Sequence, residues 1–180
     1  MRGRYGVLLL GLLLAQLAVA GEPGRLEIYL TDHRQAIDDF ASLVVELEAL
    51  RVKRRVGWRF WQSGWEELVP QQRRLDLTAY TDGRRALVFA GAVAAGTFDA
   101  LELRLAGLKG VLRRGGKPVA VTDRTGPLAV TFRVRPQQTT RLVLDLVVLD
   151  LSDHGQGYVL QVAGYAQYEN GVLVDKVPPG

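Results

Sequence analysis

Cysteine is absent from all 180 residues. That excludes disulfides, thiol nucleophiles, zinc–thiolate sites and an N-terminal lipid attached through cysteine. Histidine occurs only at His33 and His154, too few for a histidine-based metal cluster without other ligands. Gly-x-Ser-x-Gly, His-Glu-x-x-His and a phosphate-cradling glycine loop are missing, so no standard hydrolase or nucleotide site is signalled. No internal repeat or low-complexity linker divides the chain. Charge is nearly balanced, with 23 Lys and Arg against 19 Asp and Glu.

One long apolar run is present, at the start. Arg2 and Arg4 precede an uncharged stretch from Tyr5 to Ala20 that ends Ala18-Val19-Ala20 before Gly21. A basic head, a short apolar centre and a small-residue end read as a signal peptide over residues 1–20. The run is shorter than the about 20 residues of a membrane span, and Gly21-Glu22-Pro23-Gly24 closes it. Later apolar stretches are cut by charge or glycine, so an uncleaved leader would be the membrane attachment. The expected product is exported, periplasmic or extracellular, and not a lipoprotein. Losing Arg2 and Arg4 takes the basic count from 23 to 21 against 19 acids, a formal charge of +2. So mild a charge, outside the cell, gives no reason to expect nucleic acid.

The remainder, about 160 residues, is long enough for one domain with its own core. Period-two alternation recurs, as a half-buried strand requires. It is seen in Leu26, Ile28 and Leu30, in Leu43, Val45 and Leu47, in Leu101, Leu103 and Leu105, and in Leu128, Val130, Phe132 and Val134. From Leu142 to Leu151 the apolar parity changes around Val147-Val148, which predicts a bulge or a strand changing sheets. Gly115-Gly116 and Asn170-Gly171 predict hairpins, the second most strongly, because a type I′ turn needs positive φ at both central residues. Gly64 after Gln62-Ser63 and Gly83 after Thr81-Asp82 mark further turns. About eight or nine strands at this spacing predict an all-β, antiparallel β-sandwich. It would form a single domain over 21–177, with 178–180 frayed. At most one or two short helical turns are expected, within Pro70 to Ala79 or Arg85 to Ala95.

The mature chain opens Gly24-Arg25-Leu26-Glu27-Ile28-Tyr29-Leu30-Thr31-Asp32, with Asp39-Phe40 soon after. Leu75-Asp76-Leu77, Gly96-Thr97-Phe98, the Leu101 to Leu105 strand, Leu142 to Leu146 and Gly157-Tyr158-Val159-Leu160 follow in order. In sequence and spacing this resembles the bacterial and archaeal domain of unknown function 4382 family, over roughly Gly24 to Tyr168. The resemblance implies an exported cell-envelope β-sandwich, similar to carbohydrate-binding, immunoglobulin or transthyretin-like modules, with no assigned activity. His33-Arg34 stands where the family usually has Ala-Pro, and Gln161-Val162 lacks a common proline. The lipid-anchoring cysteine of many relatives is missing.

Candidate sites follow from composition. Trp58, Trp61 and Trp65, with Phe60 among them and Arg59 beside them, would suit a glycan platform, since aromatic faces stack on sugar rings. Core packing of the same residues is the competing expectation. Arg51, Lys53, Arg54, Arg55 and Arg59 form the densest basic run, either a patch for anionic partners or solvated strand-edge charge. Asp32, Asp38 and Asp39 in one loop and Asp150 and Asp153 in another could offer calcium ligands, although turn capping suits Asp equally. Glu66-Glu67 and Glu46/Glu48 are not placed like the opposed acids of a glycosidase. The expectation is a non-catalytic envelope module without a cofactor that binds a glycan or other surface component. A structural subunit that pairs with a protein partner or itself through the edge of the terminal hairpin, Tyr158 to Val177, is the alternative.

Overall fold

The structure, a computed structural model, describes residues 22–55 and 64–178. The expected leader 1–20 and the turn residues Gln62-Ser63 lie outside them.

Alternation in the sequence becomes alternation in burial. In β1 (Pro23–Asp32), Leu26, Ile28 and Leu30 are sealed from solvent while the side chains between them are at least partly exposed. β2 (Phe40–Arg54) buries Leu43, Val45 and Leu47, slips register between Glu46 and Ala49, and resumes with Leu50 and Val52 buried. β9 (Pro127–Val134) buries Val130, Phe132 and Val134, with Leu128 half-buried at its start. Each sealed Leu, Ile, Val or Phe contributes about 1.5–3 kcal/mol relative to exposure.

The remaining strands are β3 (Trp65–Leu68), β4 (Arg74–Asp76), β5 (Ala86–Ala94), β6 (Gly96–Leu112), β7 (Pro118–Val119), β8 (Val121–Asp123), β10 (Thr139–Asp150), β11 (Tyr158–Glu169) and β12 (Val172–Val177). They form two packed sheets. One runs β12-β11-β10-β1-β5 with β8 against β11; the other runs β3-β2-β6-β7 with β4 against β2 and β9 against β6. Pairing is antiparallel except for β1 with β10 and β8 with β11, which are parallel. Phe98 stacks on Phe132 with ring centroids 5.0 Å apart. Phe40 of the second sheet meets Tyr158 of the first edge-on at 4.8 Å.

The described residues hold twelve strands, more than the eight or nine expected, because β3, β4, β7 and β8 are too short to show a period. The strand expected to bulge or change sheets around Val147-Val148 does neither there; the register shift lies between Asp145 and Leu146, and its extra residue is Ala163 of β11, since Asp145 pairs with Gly164 and Leu146 with Val162. Asn170 and Gly171 both have positive φ, 48° and 85°, as the predicted turn requires. A 3-10 turn forms at Leu77–Ala79, capped by Asp76, and two more at Ala36–Asp39 and Ser152–His154. Arg85 to Ala95 holds no helical turn. Its alanines favour helix in isolation, yet Val88 and Val93 are buried and the segment pairs along β1, so tertiary contacts decide.

Arg54 ties the two sheets together. From the end of β2 its guanidinium donates to Ala94 O and Ala95 O, each at 2.9 Å, pairs with Glu66, and lies 4.6 Å from the Phe98 ring centroid. A lysine cannot reproduce the forked donor set. Arg54→Lys is therefore expected to cost about 2 kcal/mol, read as a lower urea midpoint with unchanged slope. An unchanged midpoint would show that this clip contributes nothing to stability.

Candidate functional site

The sequence-predicted platform is only partly visible. Trp58, Arg59 and Trp61 lie outside the described residues. Trp65 sits half-exposed on edge strand β3, where the Arg51 guanidinium covers it at 4.9 Å and itself donates to Glu102 at 2.8 Å. The basic run is woven into the second sheet: Arg51 with Glu102, Arg54 with Glu66 and Arg55 with Asp99. Glu46 and Glu48 pair with Lys109 and Arg104.

The acidic loops have local duties. Asp39 accepts from the Tyr158 hydroxyl at 3.1 Å, and Asp150 accepts from Ser152 N and Oγ. Asp38 lies beside Asp39 in one 3-10 turn, and Asp153 and His154 share another. Among the described residues, no group of three or more His, Asp or Glu converges to hold a metal ion. Asp32, on the buried parity at the end of β1, lines a cleft that opens on the outer face of the first sheet.

That face is built in rows across the strands. Thr31, Asp145 and Gly164 align in one row; Tyr29, Val143, Ala166 and Lys176 in the next; Glu27, Arg141, Tyr168 and Leu173 in a third. Ions close part of the third row, where Glu27 accepts from Arg25 and Arg141 at 3.1 Å each. Thr31, Val143 and Ala166 are the small side chains of the first two rows, and over them the surface sinks into a cleft of about 410 Å³ that Tyr165 also lines. The turn after β1 and the Asp82-Gly83 turn form one wall, while Tyr168, Leu173 and Lys176 form the other. Arg34 and Asp82 join within the first wall at 2.8 Å. Arg85 reaches over β1 and β10, and its guanidinium carbon stands 5.8 Å from the Tyr168 ring centroid.

Two carboxyls lie in this lining. Asp32 is 5% exposed, and neither of its oxygens has a hydrogen-bond partner. Burial, followed by the nearby Asp145 and Asp38 carboxylates, pushes its pKa up to about 8. Asp145 is also raised by burial, against the opposing influence of His33 and Lys176. Its Oδ2 lies 3.9 Å from His33 Nδ1, and its side chain keeps 22% exposure.

The profile of the family described as Domain of unknown function (DUF4382) matches residues 23–161, which run from the first residue of β1 into β11. The chain belongs to this family. In this DUF4382 member the matched region supplies Thr31 and Val143 of the floor and one wall, while Ala166 of the floor and Tyr168, Leu173 and Lys176 of the other wall fall beyond the matched residues. No curated protein and no solved structure gives a significant match.

The cleft was not among the sites expected from sequence. One signal for it is present: period-two alternation through Leu26, Ile28 and Leu30 places Asp32 on the buried face of β1. β12, the expected assembly strand, is the sheet edge and is exposed throughout, with Val172, Leu173, Val174 and Val177 at 44–66%. A bulge at Val174, a lysine at 176 and Pro178 beyond the strand are features that discourage strand addition.

Proposed function

We propose that this DUF4382 protein is a non-catalytic, exported cell-envelope module that binds a glycan in the cleft on the outer face of its first sheet. The observation that carries this reading is the cleft's composition: a Tyr168 ring and Leu173 on one wall, a small-residue floor, and the partly exposed Asp145 with cations around it. Sugar recognition needs this mixture of apolar faces and a few converging polar groups. A non-catalytic role is supported by Asp32. Its pKa is pushed up to about 8, which would suit a general acid, but its oxygens have no contact with solvent and so cannot meet a glycosidic oxygen. Export is supported by the residues 1–20 pattern. The cleft is preferred to edge-strand assembly because β12 carries the edge-blunting features described above.

The test is a glycan array followed by calorimetry on the full chain. Tyr168→Ala is expected to weaken binding about tenfold, with Trp65→Ala neutral. Binding lost in Trp65→Ala and retained in Tyr168→Ala would move the site to the second sheet.

A further inference from the structure

Resting on the cleft reading above, we infer that the preferred ligand is an acidic oligosaccharide, with a uronic-acid carboxylate set between Arg85 and Lys176 and a ring hydroxyl donating to Asp145. The cations of the surrounding face are not alike. Arg25 and Arg141 share the Glu27 carboxylate, and Arg34 pairs with Asp82. Arg85 and Lys176 are exposed and, among the described residues, make no ion pair. Both line the same cleft, Arg85 from the turn before β5 with its guanidinium carried across to Tyr168, and Lys176 from β12, with Ala166 and Val143 beneath.

A carboxylate lying in that cleft can meet both a guanidinium and an ammonium, the pairing that gives the stronger, charge-assisted hydrogen bonds. Asp145 does not spoil the match. His33 and Lys176 lie close enough to offset its charge, and a carboxylate that accepts hydrogen bonds is what a sugar hydroxyl requires. A bare anion brings Asp145 no hydroxyl donor; a neutral sugar offers the two cations only uncharged oxygen acceptors, which make weaker bonds than a carboxylate does. The uronic acid satisfies both.

The experiment compares hexamers of galacturonate, mannuronate and guluronate with their methyl esters, by calorimetry on the full chain in low salt. At least one acid is expected to bind about tenfold more tightly than its ester. That advantage should shrink in 0.5 M salt and disappear in Arg85→Gln and Lys176→Gln, both exposed substitutions that leave the fold intact. Equal binding of acid and ester, with loss in Tyr168→Ala, would overturn the acidic preference and leave the glycan cleft standing. No binding by the hexamers or by any glycan of the array would overturn both. Acetate or inorganic phosphate binding as tightly as the hexamers would reduce the site to simple anion capture and overturn the inference.

Discussion

Asp32→Asn is expected to stabilise the protein, by an amount that grows with pH. The folded state holds the Asp32 proton up to about pH 8, whereas the ordinary carboxyl value is 3.8. Between those limits the native protein binds a proton that the unfolded chain has released. Stability therefore falls as pH rises through the window, by up to about 1.4 kcal/mol per unit, and levels off above it. An asparagine has no proton to lose and fills nearly the same volume, so it removes this slope. The difference between variant and wild type is expected to be small near pH 4 and on the order of 5 kcal/mol near pH 8, or about 10 °C or more in Tm. Glu27 works in the opposite sense: burial raises its carboxyl, but the hydrogen bonds and charges of Arg25 and Arg141 together outweigh that and hold it below the ordinary range, so its contribution is lost only as pH falls through the acid region. Both proteins share that acid limb, and subtraction cancels it. Urea titrations of the two proteins from pH 4 to 9 provide the measurement. A difference that stays constant across that range would mean that Asp32 is ionised or solvated in the folded state, and the buried carboxyl would no longer define the cleft.

Burial faces were legible in the sequence, and strand partners were not. A period of two states which side of a sheet each residue occupies, so Val130, Phe132 and Val134 could be assigned to the core before any coordinates. It carries no information about direction, so the parallel pairing of β1 with β10 had no signature. The same limit hid the cleft. Thr31, Asp145 and Gly164 are far apart in the chain and become neighbours only through that pairing and the β10–β11 register. Tryptophans drew the expectation to the Trp58 to Trp65 segment because aromatic residues are conspicuous in sequence, whereas a floor made by residues as small as Ala166 leaves no such mark. Asp32 was the readable clue: a carboxyl on the buried parity of an apolar strand breaks the local pattern, and such breaks concentrate at sites with a purpose beyond packing.

Phe98→Ala is expected to be the most damaging single truncation at the opposite end of the sandwich from the cleft. Phe98 is fully buried and stacks within 10° of parallel on Phe132, with the Arg54 guanidinium on it. Removing the ring leaves a cavity between the sheets, deprives Phe132 of its partner and loosens the cation that holds Ala94 and Ala95. Such truncations cost about 3–5 kcal/mol, a large share of the roughly 5–15 kcal/mol that holds a domain together. Urea unfolding should show a lower midpoint with little change in slope. Phe98 pairs with Arg54 in register, near where Pro23 of β1 meets Ala94, whereas the cleft gathers around Asp32 at the other end of β1. Under conditions where the variant remains folded, its cleft affinity should equal that of wild type. Arg85→Gln should show the reverse, weakened binding with unchanged stability. If Phe98→Ala weakened binding as much as it weakened stability, the cleft and the core would be one energetic unit. A loss below about 1 kcal/mol would instead show that the aromatic stack is not what holds the sheets together there.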